Sequence, residues 1–121
     1  MTIEECYQEM GGNYVEVSSR LPSLRLIEKF LGKFLEDRSF ECLCEEMKAG
    51  NRENAFRAAH TLKGVCANLG FSRLLVSAGR LTEELRQERD TIPDTAFTLL
   101  EGVCRDYQTT AAAICKYMGK A

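Results

Sequence analysis

The sequence predicts an all-α protein, an antiparallel four-helix bundle with additional short helices at its N-terminus. Apolar residues recur at spacings of three and four through successive long segments, the mark of helices with one buried face. No segment alternates as a half-buried strand does. The segments are separated by brief runs of turn chemistry, and helices joined by short turns pack antiparallel.

The elements follow in order. A short helix over about residues 2–10 ends at Gly11-Gly12, and another turn or two covers Tyr14–Arg20. From Ser23, just after Pro22, the residues Leu24, Ile27, Phe30, Leu31, Phe34 and Leu35 form one apolar face. Asp37-Arg38-Ser39 breaks it, and Ser39 is the expected N-cap of a helix with Phe40, Leu43, Cys44 and Met47 on one side. Gly50 ends that helix and Asn51 caps the next, which runs to Leu69 and stops at Gly70. Phe71 or Ser72 opens a helix with Leu74, Leu75, Ala78, Leu81 and Leu85 inward. The last helix begins at Pro93, where a helix tolerates proline. It runs to about Met118 with Phe97, Leu100, Val103, Cys104, Tyr107, Ala111, Ile114 and Cys115 inward.

Composition narrows the function. A chain of 121 residues fits one domain of about 100–150 residues, and with no linker, repeat or charge block, residues 1–121 are expected to form that single domain. Lys and Arg number 16 against 18 Asp and Glu, a net charge of −2, so a nucleic-acid partner is not expected. The N-terminus carries glutamates where a secretory signal carries basic residues, and no stretch reaches the ~18 apolar residues of a membrane span. The expected compartment is the cytoplasm. The six cysteines are then reduced thiols, most of them small core hydrophobes. There is no C-x-x-C pair, and Cys42 and Cys44 point about 200° apart on a helix. One histidine, His60, excludes chemistry that needs two or three imidazoles, including most catalytic zinc sites. No metal or cofactor of the chain's own is expected.

That histidine is the candidate functional residue. On a wheel of about 100° per residue with His60 at zero, Ala55, Ala59, Leu62, Cys66 and Leu69 fall between about 180° and 260°. They form the core stripe, so His60 points to solvent. On its own face lie Lys63, Gly64 and Ala67, with Arg52 and Arg57 on the flanks adding positive charge. A glycine inside a helix costs roughly 0.5–1 kcal/mol relative to alanine, and on an exposed face packing does not require it. Gly64 and Ala67 clear the space above the imidazole for another protein's surface, and Lys63 places a cation where it can hold an anionic group on the ring. The plainer reading is an incidental surface histidine; the glycine, the lysine at +3 and the small residue at +7 together weigh against it.

The segment His60-Thr61-Leu62-Lys63-Gly64-Val65-Cys66-Ala67-Asn68-Leu69-Gly70-Phe71 resembles the signature of histidine-containing phosphotransfer (HPt) domains. That pattern is H-x-[L/I]-K-G, four variable residues, an apolar residue and glycine. Ala55, Ala58 and Ala59 are similar to the family's alanine-rich approach to its histidine. Ala67 departs from it, standing where glycine is frequent, but remains small. The resemblance implies that His60 is phosphorylated, that Lys63 steadies the phosphoryl group and that Gly64 gives access. It also implies partners: the receiver domains of hybrid sensor kinases or response regulators in bacterial two-component phosphorelays, with Mg2+ supplied by the receiver. No Walker or G-x-G-x-x-G motif is present, so phosphorylation from ATP by the chain itself is not expected.

Phe56 falls on the histidine's side of the wheel, as a docking residue or tucked under the neighbouring helix. Arg57, Ala67 and Asn68 join it as candidate partner contacts, Asn68 alternatively capping the turn. The run Glu83–Asp90 reads as a solvated face with i,i+3 and i,i+4 ion pairs, and Tyr7 and Tyr14 as residues that cap the bundle. Two rivals to the relay remain: a non-phosphorylated helical interaction module using the same face, and a cofactor-binding bundle with His60 as an axial ligand. The expected oligomeric state is a monomer.

Overall fold

Local polar groups start most of the helices. The computed structural model describes residues 1–86 and 90–120, and its elements are α1 (Ile3–Met10), α2 (Tyr14–Arg20), α3 (Leu24–Glu36), α4 (Ser39–Ala49), α5 (Arg52–Leu69), α6 (Ser72–Leu85) and α7 (Asp94–Met118). Among the described residues there is no strand. Thr2 and Glu5 close a capping box on α1. Asn13, Ser23 and Asn51 accept from the backbone N–H three residues on, at the starts of α2, α3 and α5. Each of these bonds satisfies a donor that the first helical turn leaves over.

One predicted cap is corrected. Ser39 is the first residue of α4 rather than its N-cap, and its N–H donates to Asp37 Oδ1 at 2.8 Å. Asp37, two residues before Ser39, thus satisfies the first N–H of the helix.

Helices α4 to α7 pack in chain order, each against the next. Their directions follow from who meets whom. The Arg52 guanidinium at the start of α5 donates to the Leu85 carbonyl at the end of α6, 2.6 Å away. Thr95 at the start of α7 donates to Glu84 near the end of α6 at 2.7 Å. The ring of Phe40, early in α4, stacks on Tyr107, well along α7, with centroids 4.0 Å apart. These pairings describe the antiparallel bundle. Its core holds Leu43, Met47, Leu62, Leu74, Leu81, Leu85 and Ile114, all essentially inaccessible, and α3 adds Ile27, Leu31 and Phe34.

The apolar faces are rotated in places from those predicted. Leu24 and Phe97 are exposed at 46% and 42%, and Leu75 is half-buried. Of the residues expected inward on α7, Val103 and Ile114 are buried while Leu100, Cys104, Tyr107, Ala111 and Cys115 are half-buried. The buried stripe runs instead through Ala96, Val103, Asp106, Thr110 and Ala113. Small and polar residues line it, so counting large apolar side chains points to one side of the true face. Thr110 meets its polar requirement by donating to the Asp106 carbonyl.

The N-terminal segment locks the end of α5. Tyr7 is buried, and its hydroxyl donates to the Leu69 carbonyl at 2.7 Å. Asn13 N–H donates to the Gly70 carbonyl at 2.8 Å, and Arg73 N–H to the Gly11 carbonyl at 3.1 Å. Gly70 has φ +70°, and a Cβ there would lie 2.7 Å from the Asn13 carbonyl oxygen. Glycine is therefore required at this crossing by conformation and by space. Tyr7 also meets Tyr14 edge-on at 5.8 Å, so both tyrosines close the bundle end.

Two expected outcomes follow from this packing. Tyr7→Phe removes the hydroxyl donor to the Leu69 carbonyl and lowers unfolding free energy by about 1–3 kcal/mol, measured by urea denaturation. Burial pushes the thiols of Cys6 and Cys44 up to about 11 and that of Cys66 up to about 12, and burial with the Glu28 hydrogen bond pushes the Tyr117 phenol up to about 12. A raised folded value favours the neutral form, so this stability is intact below the unfolded values of about 8.5 and 10. It is lost as pH rises through the folded ones. The urea midpoint should hold steady up to about pH 8.5 and fall from there to about pH 12, and Cys6, Cys44 and Cys66 should resist iodoacetamide at neutral pH in the native protein.

Candidate functional site

The site is built on α5. Ala55, Ala59, Leu62 and Cys66 are 0% exposed and Leu69 is 6% exposed, which sets the helix's rotation about its axis. His60, next to Ala59, is exposed in consequence. Gly64, one turn on, is also exposed, and a Cβ built there would have nothing within 4 Å. Ala67, a further turn on, is half-buried. Among the described residues no contact calls for glycine at 64, and the space beside it is open.

Lys63 is half-buried and leans toward α6. Its stem passes Gly79, whose Cβ would lie 3.9 Å from Lys63 Cε, and its charge helps to lower the Glu83 carboxyl, after the larger effect of Arg86. Among the described residues Lys63 has no hydrogen-bond or ion-pair partner, which leaves its ammonium available at the edge of the histidine face.

The flanking arginines behave differently from the expectation. Arg52 closes the C-terminus of α6 through the Leu85 carbonyl, so its role is structural as well as electrostatic. Arg57 is exposed and paired with Glu53 at 2.7 Å, one turn back from the histidine. Its charge is thereby largely balanced. Asn68 is exposed, and its side chain does not cap the turn. The carbonyls of Ala67 and Asn68 instead receive Arg20 from α2, at 2.5 and 3.1 Å, and the Phe71 N–H donates to the Cys66 carbonyl at 3.0 Å.

Phe56 is placed between His60 on its own helix and Arg86 just past the end of α6. The ring is half-buried, lies 12° from parallel with the His60 imidazole at a centroid distance of 6.0 Å, and carries the Arg86 guanidinium 5.0 Å from its centre. Arg86 is tied in turn to Glu83 by hydrogen bonds of 3.1 and 3.2 Å. Glu83, Arg86 and Gly79 were not identifiable as site residues from the sequence. The run that contains the first two does form an i,i+3 pair as expected, but it also reaches across to α5. The rest of that run, Gln87, Glu88 and Arg89, lies outside the described residues.

Among the described residues no group of three or more His, Cys, Asp and Glu side chains is placed to hold a metal ion. Among the described residues no helix is long and apolar enough to cross a membrane.

Comparison with protein families finds the Hpt domain, matched over residues 25–111. The chain belongs to the Hpt domain family. That match covers α3 to α6 and most of α7, and so contains the whole histidine face. Hpt domains are phosphotransfer modules of phosphorelays that work with receiver domains, rather than enzymes with an ATP site. Comparisons with curated proteins and with solved structures returned no match.

In this Hpt domain the open space at Gly64 has a measurable cost. Gly64→Ala should raise unfolding free energy by about 0.5–1 kcal/mol, read from urea denaturation. A loss of stability would mean that the helix needs glycine there for its own packing.

Proposed function

We propose that this chain is a phosphorelay intermediate that accepts a phosphoryl group on His60 from a receiver aspartyl-phosphate and passes it to another receiver. The observation that carries the reading is an exposed imidazole on the Hpt-matched helix below an open, glycine-cleared surface. In the transfer, a lone pair on the neutral ring nitrogen forms the N–P bond as the P–O bond to the aspartate breaks. The carboxylate leaves, and the ring's other nitrogen gives up its proton to solvent. The return step runs the same path with a second receiver's aspartate as nucleophile. Phosphoryl transfer depends mainly on positioning and charge neutralisation.

The roles divide accordingly. His60 is the nucleophile, Lys63 steadies the phosphoryl group, and Gly64 with Ala67 lets the receiver's acidic pocket approach. Phe56, Arg57 and Asn68 border the docking face. Magnesium belongs to the receiver, and the chain works in the cytoplasm, as a monomer, without a cofactor of its own. The donor is a receiver of a hybrid sensor kinase or a response regulator.

The test is incubation with phosphorylated receiver domains. Acid-labile phosphate should appear on the chain and be abolished by His60→Gln. A chain that binds receivers equally well with His60→Gln and never gains phosphate is instead a non-phosphorylated interaction module, and the relay reading fails.

A further inference from the structure

A cleft of about 910 Å³ lies between α6 and α7, bordered at one end by Gly11. Its walls include Arg73, Val76 and Arg80 from α6 and Thr98, Gly102 and Arg105 from α7, and among the described residues none from α5 lines it. It is therefore separate from the His60 face. Each wall is one stripe of a helix. Arg73, Val76 and Arg80 fall at i, i+3 and i+7, and Thr98, Gly102 and Arg105 at i, i+4 and i+7.

Three observations set this cleft apart from ordinary surface. Val76 is 53% exposed, a large apolar side chain on the wall of a groove whose other side carries the half-buried Leu99. Arg73 and Arg80 are exposed, and among the described residues their guanidiniums have no hydrogen-bond or ion-pair partner. Arg105 has only Asp106, with Nε 3.6 Å from Oδ1. The acids on the cleft are Glu101 and the buried Asp106, so cations are in excess. Gly102 is half-buried well inside the 25-residue α7, and a Cβ there would meet Arg105 Nη2 at 3.7 Å, an ordinary contact. Glycine weakens a helix relative to alanine, and packing within the described chain does not call for it.

We propose that the α6–α7 cleft is a docking site for an acidic amphipathic helix of a partner protein, one that carries carboxylates two turns apart with an aliphatic residue between them. Such a site stands apart from the relay reading and neither needs nor alters it.

The spacing of the arginines argues for a helix. Arg73 and Arg80 stand about 10.5 Å apart along α6, seven residues at about 1.5 Å each. Residues at i and i+7 of a partner helix have the same separation on one face, so two carboxylates there meet both guanidiniums in a single register. The residue at i+3 or i+4 then falls on Val76. Exposed ion pairs are individually weak, so the charges set register and orientation while burial of Val76 and Leu99 adds affinity. A small anion would use one or two of the arginines and leave Val76 in water. Gly102 lets the docked backbone come close, and Arg105 flanks it from the second wall. Laying an apolar face into a groove is a general mode of helix recognition.

The test titrates the intact 15N-labelled chain with a synthetic helical peptide of about 14 residues, four turns, with Glu at i and i+7, Leu at i+4, and Ala and Gln elsewhere. The amides of Val76, Arg80, Gly102 and Arg105 should shift, and those of His60 and Gly64 should not. Arg80→Glu should weaken binding about tenfold or more, since it turns attraction into repulsion. Gly102→Leu, which fills the cleft floor without a clash inside the chain, should do the same with no loss of stability in urea. A peptide of identical composition with its second Glu moved to i+5, on another face, should bind the native chain as weakly. The proposal is overturned if the peptide leaves the cleft amides unmoved or shifts the His60 face instead. It is overturned equally if Gly102→Leu or the rearranged peptide binds as well as the originals. Inorganic tripolyphosphate is the remaining arm: if it displaces the peptide and Leu→Ala in the peptide costs no affinity, the cleft is a small-anion site and the docking proposal fails.

Discussion

The rotation of α5 about its own axis is the constraint on which the rest of the site depends. Ala55, Ala59, Leu62 and Cys66 present a stripe that is fully withdrawn from solvent. Three of the four are small, so neighbouring helices sit close and the stripe has little freedom to roll. A rotation of even one residue, about 100°, would bury the imidazole and expose alanine. Everything on the opposite face, from Phe56 to Ala67, takes its direction from that packing. The same stripe ends at Leu69, where Tyr7, Arg20 and the 11–13 turn fasten the carbonyl end of the helix. The first two helices thus fix the end of the element that bears the histidine.

The register of α6 against α5 is the second determinant. Arg52 joins the start of one helix to the end of the other, and Gly79 admits the Lys63 stem where the two cross. With both points set, Glu83 and Arg86 fall beside Phe56 rather than elsewhere on α6. Phe56 and the Glu83–Arg86 pair come from different parts of the sequence and meet only through this antiparallel alignment.

Features written in neighbouring residues were legible from the chain alone. The cap at Asn51, the stop at Gly70 and the outward direction of His60 depend on contacts within a turn or two, and local sequence reports them directly. Features that depend on what covers a helix were not. Phe97 reads as inward because it is large and apolar, yet the covered side of α7 is lined by Ala96, Asp106 and Thr110. Ser39 reads as a cap because serine is a good one, while Asp37 is equally good and arrives first. Arg52 and Arg57 read alike as flanking charge, but one meets a backbone carbonyl on α6 and the other a glutamate on its own helix. Arg86 was hidden for the same reason: its partners across the interface are set by helix alignment, and no local spacing encodes them.

His60 lies midway along an 18-residue helix. The partial charges of a helix act within its first and last turns, where an anion is attracted or repelled. At the centre they nearly cancel, so the backbone neither traps a phosphoryl group nor expels it. A phosphate seated at a helix N-terminus is bound by a ring of amides that cannot move aside. One seated here answers only to side chains, which can let go. For the proposed carrier, which must give up its cargo as readily as it takes it, the middle of the helix is the neutral ground.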